Sequence, residues 1–335
     1  MQVNKILSAR FSENWPSYHL IYEWEDVFSD KLSIPIVSNE QLHHYFLKKF
    51  RVNNKYLNFF FNRGIALVSR LRTIINHGNV LVFELAPSFT IHEKSVPFLI
   101  DFWKQTDLDS FFRFYRDCPL VLISSIEVFN YLKLNKCPLN IFHLPLSLPD
   151  KYCLNVGTSY EKKHSIIFAG RANKLLMNYM KEFEKKFPDI EFLQQIEVNT
   201  ELYYSSNKTG VIGKFHSRSE YMALLRSCKI SFYSTPGIDG GEVRTGGFNP
   251  VTPRFLELLS AQCLIMGRYP KNEETEFYEL EKVCPNINSY QDFEFYLLKY
   301  IEQDGFPFDQ YSQILSKHYT SKRVESFKEA LITSY

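Results

Sequence analysis

The sequence predicts an α/β protein made of two Rossmann-like domains facing a central cleft. Three observations predict it. A chain of 335 residues is too long for one ordinary core and divides into two units of about 150 residues each. Short apolar runs alternate with amphipathic segments in both halves, as parallel strands buried on both faces and joined by helices do. The second half opens on a strand, Ser165 to Ala169, then Gly170, then an amphipathic segment, which is how a doubly wound sheet begins.

In the first half the candidate strands are Val80 to Leu85, Val96 to Ile100, Leu120 to Ile123 and Asn140 to Leu144. Pro145, Pro149 and the polar segment 150–163 then interrupt the pattern, as a connection between domains does. The first domain is therefore placed at residues 1–154 and the second at 155–312. In the second, Asn173 to Phe187 carries Leu175, Leu176, Tyr179, Met180 and Phe183 on one helical side. A strand near Glu191 to Ile196 and a turn at Gly213 follow. Ser217-Arg-Ser-Glu220 has the spacing of a capping box and opens a helix, and Lys229 to Tyr233 is the next strand. Pro250 to Ala261 reads as a helix capped by Asn249, Cys263 to Met266 as a strand, and 289–302 and 311–331 as closing helices. The last segment, 313–335, is expected to pack back toward the first domain.

The composition narrows the function. With 45% hydrophobic and 23% charged residues, 30 Phe and 21 Tyr, the chain has ample apolar surface to bury and no signature of disorder. A net charge of +2, from 39 basic and 37 acidic residues, argues against a nucleic-acid partner. The six cysteines show no metal-ligand spacing and read as reduced thiols. No window approaches the roughly 20 apolar residues of a membrane span, and no signal-peptide core follows Met1. A cytoplasmic location is expected. Residues 45–72 combine cations such as Lys48, Arg51 and Arg63 with Phe46, Phe50 and Phe59. They fit either peripheral contact with an anionic membrane or a solvated face over core aromatics.

The stretch from Gly237 to Gly267 carries the chemistry. Gly246, Gly247 and Phe248 precede Asn249 and Pro250, a helix start. Free N–H groups there, aided by the helix dipole, are expected to attract a diphosphate. Glu257, about two turns into that helix, reads as a ribose ligand or as an ordinary surface glutamate. Arg254 reads as a phosphate ligand or as a partner for a neighbouring acid. In the first half, Asp101 follows a strand, where it serves as a general base, a sugar-orienting group or a helix cap. Asp107 and Asp109 match a DxD pattern, but helix capping explains them better.

The second half, over about residues 140 to 300, resembles the donor domain of glycosyltransferases with the GT-B fold, particularly the retaining, metal-independent group with a Glu-x7-Glu motif. His164 to Arg171 is similar to that family's first donor-domain strand. Val211-Ile-Gly213 with Lys214 and Phe215 is similar to its base-binding turn, and Arg254 to Ile265 to its Glu-centred helix and following strand. The resemblance implies that Gly170, Arg171 and Lys174 take the donor diphosphate. It implies transfer of a sugar from a nucleoside diphosphate to a glycan or lipid-linked acceptor, of the kind found in O-antigen or capsule synthesis, with no cofactor and no metal. The family's first Glu is replaced by Asn249, which cannot act as a carboxylate. Glu242 and Asp239 in the adjacent loop are candidates to supply it. A sugar-nucleotide 2-epimerase of similar fold, or a non-catalytic donor-binding subunit, are the rival readings.

Overall fold

The computed structural model describes residues 1–10, 13, 16–37, 79–87, 94–170, 172–198, 201–215 and 217–333. Within them the chain forms two six-stranded sheets. The first holds β1 (Val3–Leu7), β2 (Ile36–Val37), β3 (Asn79–Glu84), β4 (Ser95–Leu99), β5 (Val121–Ile123) and β6 (Ile141–His143), in the order β2-β1-β3-β4-β5-β6. All its pairs are parallel. The apolar runs of the sequence sit on these strands because a parallel sheet covered on both faces demands apolar residues at successive positions; β4 is buried along its whole length.

The second sheet holds β7 (His164–Phe168), β8 (Phe192–Val198), β9 (Glu201–Ser206), β10 (Gly210–Gly213), β11 (Cys228–Ser234) and β12 (Leu264–Arg268), in the order β10-β9-β8-β7-β11-β12. The strands β8, β7, β11 and β12 are parallel, as expected. The outer edge differs from expectation: β8, β9 and β10 form an antiparallel meander, and Gly213 ends a strand there. An edge strand needs few apolar residues, and β9 is half exposed, so its sequence carries no strong strand signal.

The helices are α1 (Pro16–Leu32), α2 (Leu108–Tyr115), α3 (Ile126–Leu134), α4 (Lys174–Lys186), α5 (Arg218–Ser227), α6 (Arg254–Ser260), α7 (Glu273–Phe277), α8 (Tyr290–Glu302), α9 (Phe308–Lys317) and α10 (Thr320–Thr333). Local chemistry sets their starts. Asn173 Oδ1 accepts from the Leu175 and Leu176 N–H groups at α4, and capping boxes close on Ser217 and Glu220 at α5 and on Ser289 and Asp292 at α8. Asp107 occupies the N-cap position of α2. Two expectations are corrected. The single closing helix over 311–331 is two helices, α9 and α10, separated at His318 and Tyr319. The helix expected from Pro250 begins only at Arg254, with Pro253 before it.

Each sheet buries its own apolar layers. After the second sheet the chain crosses back, and α10 lies on α1: Phe327 meets Phe28 at 5.7 Å, while Val324, Ala330 and Leu331 join the core of the first sheet. The carboxyl ends of the two sheets face each other. The segment after β4 meets the loop after β11, where Gly246 lies on Lys104, and the start of α3 meets α7. Among the described residues no helix is long and apolar enough to cross a membrane.

Candidate functional site

In a doubly wound sheet, ligands bind where neighbouring strands connect in opposite directions. In the second sheet that point lies between β7 and β11, because the chain leaves β7 toward β8 on one side and returns to β11 on the other. The crevice there is lined by Phe168, Ala169, Ala172, Asn173, Tyr233 and Ser234. Gly170, just after β7, has φ +74°. A Cβ at Gly170 would lie 2.5 Å from Cζ and 2.7 Å from Nη2 of Arg254. Glycine is therefore required twice here, by its left-handed backbone and by the guanidinium that fills the vacant side-chain space.

Arg254 Nη1 donates to the Ala169 carbonyl, and its Cζ lies 5.8 Å from the Tyr221 ring centroid. Its Nε is buried without a hydrogen-bond partner among the described residues, and no carboxylate there lies within ion-pair distance of it. Gly170 N–H and Arg254 both face the Tyr204 hydroxyl. Phe215 packs edge-on to the Tyr204 ring at 5.5 Å. Of the residues expected to bind donor, the structure thus gathers Gly170, Arg254 and, through Tyr204, Phe215. Lys174 is exposed in the first turn of α4. Lys214 pairs with Glu201 across the edge meander at 2.5 Å, so its charge is used locally. Arg171 lies outside the described residues, as do residues 45–72.

Glu257 is only 3% exposed. It stands in the first turn of α6, not two turns in, because the helix starts later than Pro250 suggested. Its Oε1 accepts from Arg218 Nη1 at 2.7 Å. Arg218 also reaches Glu23 of α1 at 3.4 Å, and Glu23 in turn accepts from the Tyr152 hydroxyl at 2.6 Å and pairs with Lys151 at 2.9 Å. Burial works against the Arg218 charge, and Glu257 and Glu23 outweigh it, raising its pKa. The surface-glutamate reading of Glu257 is excluded. Its carboxylate already holds a buried cation that ties the two domains together. Among the described residues, Arg218 Nη2 and the Tyr221 hydroxyl are buried without hydrogen-bond partners.

The glycine loop corrects the expected phosphate turn. Gly246 N–H donates to the Val243 carbonyl, Gly247 N–H to Thr245 Oγ1, Phe248 N–H to the Thr245 carbonyl and Asn249 N–H to Glu127 Oε2. These groups are not free for an anion. Asn249 is no helix cap: its Oδ1 accepts from Thr235 Oγ1 at 2.8 Å and its Nδ2 donates to the Gly247 carbonyl at 2.8 Å. Asp239 bridges Arg268 and Asn173 at 2.7 and 3.0 Å, and Arg268 holds its carboxyl below the usual range. Glu242 pairs with Arg244 at 3.0 Å. Neither acid is available to replace a carboxylate at Asn249. What the loop does is meet the first domain. Arg244 lies 5.2 Å from the Trp103 ring, Lys104 lies 5.8 Å from the Phe248 ring, and Asp101 contributes to holding the Arg244 charge. Asp101 caps no helix, since α2 begins only at Leu108.

Sequence reasoning missed three participants. Arg218, inside the capping box, carries no signal of its burial. Glu127 and Glu274 act across the domain seam, where only the fold reveals them. Glu274 Oε2 accepts from Ser125 Oγ at 2.9 Å and Ile126 N–H at 2.8 Å. Burial raises its carboxyl to about 7. Among the described residues no group of three or more His, Cys, Asp or Glu is arranged to hold a metal.

The chain has the two-domain α/β architecture of two Rossmann-like domains, the GT-B arrangement. The similar solved structures include the GtfA/B complex, with 10% identity and a TM-score of 0.50 over 79% of this chain and 59% of that one. This chain thus spans about three-fifths of that protein. Two further structures match more loosely. The pneumococcal O-GlcNAc transferase GtfA in complex with UDP and GlcNAc has 13% identity and a TM-score of 0.45 over 76% of this chain and 52% of that one. The glycotransferase of kitacinnamycin has 8% identity and a TM-score of 0.42 over 98% of each chain. No family model and no curated protein matches the sequence. The likeness is one of fold.

Proposed function

We propose that the protein is a glycosyltransferase that seats a nucleoside diphosphate sugar in the crevice between β7 and β11 and passes the sugar to an acceptor hydroxyl in the cleft. One observation carries this reading: Arg254 is a sheltered cation with no carboxylate in ion-pair distance among the described residues, and it lies at the switch point of a doubly wound sheet. Burial works against its charge, the Glu257 carboxylate favours it from beyond ion-pair distance, and an anionic ligand at that place adds a direct partner. Arg218 Nη2 and the Tyr221 hydroxyl, also without acceptors among the described residues, belong to the same group around the Tyr221 ring.

In this reading Arg254 takes the diphosphate, with Lys174 and Arg171 as further cations, and stabilises the charge that develops on the leaving group. Phe215 and Tyr204 face the base side. Asp101 lies across the cleft, on the loop that meets Arg244, where it orients an acceptor or accepts its proton. Fixed guanidinium groups give the diphosphate its counter-charge without calling on a metal. The acceptor is a glycan or lipid-linked glycan, and transfer retains configuration, as the resemblance implies. Thermal-shift screening against UDP-, GDP- and ADP-linked sugars tests the proposal. Stabilisation by one nucleotide class and not by the free sugars is expected; no response to any nucleotide sugar contradicts it.

A further inference from the structure

Two carboxylates cross the domain seam in opposite directions. Glu274, from α7 of the second domain, takes Ser125 Oγ and the Ile126 N–H at the start of α3. It thereby supplies an acceptor to the unpaired N–H groups that every helix start leaves. Glu127 lies in that same first turn of α3 and reaches the other way. Its Oε2 accepts from the Asn249 N–H at 2.6 Å and its Oε1 from Asn272 Nδ2 at 2.7 Å. Asn272 cannot turn its amide round without loss, because its Oδ1 accepts from the Thr275 N–H at 2.9 Å in the capping box of α7. Glu127 must therefore present acceptors on both sides, which a carboxylate does.

Asn249 closes the loop that runs from β11 to α6, and α6 carries Arg254 and Glu257. Its side chain is already committed to Thr235 and Gly247. The hydrogen bond from its N–H to Glu127 is therefore a tie between this loop and the first domain. We infer that Glu127 is a positioning residue for the anion seat. By holding Asn249, this first-domain carboxylate fixes the loop that leads into Arg254 and makes nucleotide binding in the second domain depend on the first. The inference rests on the reading of the crevice as a nucleoside diphosphate seat.

Amide hydrogen exchange by mass spectrometry on the full chain, beside calorimetric titration with UDP, GDP and ADP, tests it with Glu127→Ala and Glu127→Gln. In Glu127→Ala the segment 243–252 is expected to exchange at least roughly tenfold faster, with β7 and α8 unchanged, as release of one charged hydrogen bond implies. Affinity for the nucleotide that binds falls roughly tenfold. Glu127→Gln keeps an acceptor for the Asn249 N–H, loses the one for Asn272 and falls between. Unchanged exchange over 243–252 overturns the inference, and so does a loosened loop with full affinity or an acceleration spread evenly over the chain. If the wild type binds none of the three nucleotides, the functional reading fails, and the exchange comparison still decides whether Glu127 holds the loop.

Discussion

Gly170→Ala puts a methyl group where the Arg254 guanidinium lies. The added carbon would sit 2.5 Å from Arg254 Cζ and 2.7 Å from Nη2, so the arginine has to leave the Ala169 carbonyl. The backbone at φ +74° adds its own cost, about 1 to 2 kcal/mol for a side chain in the left-handed region, and the forced displacement adds about 1 to 3 kcal/mol. The expected loss of stability is about 2 to 5 kcal/mol by urea unfolding, with nucleoside diphosphate affinity falling more than roughly tenfold. The displacement part depends on Arg254, so the double variant with Arg254→Ala should lose only the backbone part. A coupling of about 1 to 3 kcal/mol between the two positions follows. Strictly additive effects would refute the claim that Gly170 makes room for Arg254.

Glu257→Ala leaves Arg218 with Glu23, at 3.4 Å, as its one carboxylate among the described residues; a loss of about 3 kcal/mol in unfolding free energy is expected, and an unchanged denaturation midpoint would show that the pair contributes nothing. Glu274 governs a pH dependence. Burial raises its pKa from 4.5 to about 7 in the folded protein, though Ser125 and the Ile126 N–H favour its charged form. Between those values the folded state keeps a proton that the unfolded chain has released. This contribution to stability is therefore full below pH 4.5 and lost as pH rises through 7, a change of up to about 3 kcal/mol. Glu274→Gln should flatten that part of the profile, measured as urea midpoints at pH 5 and pH 8; an unaltered slope contradicts the assignment.

The parts of this structure legible in the sequence are those written by neighbours along the chain. The capping box at Ser217 and the strands β3, β4, β7 and β11 follow from local spacing and apolar runs, and each appears where its residues placed it. Asn249-Pro250 misled because it imitates a helix start. The chain spends that asparagine on Thr235 and Gly247 instead, and α6 begins after the second proline, Pro253. The meander was hidden because its exposed edge strands need no apolar pattern. The site itself was the least legible. Arg254 reaches Ala169 across 85 residues, and Glu127 reaches Asn249 across 122. Sheet order and domain packing alone bring them together, and no spacing in the sequence encodes either.

Calorimetric titration of UDP, GDP and ADP into the wild type and Arg254→Met is the most direct test of the crevice as a nucleoside diphosphate seat. One of the three nucleotides should bind the wild type, and the variant should lose roughly tenfold or more in affinity for it. Folding stability should be kept, because among the described residues no carboxylate lies within ion-pair distance of that arginine. Equal affinity in the two proteins would contradict the account.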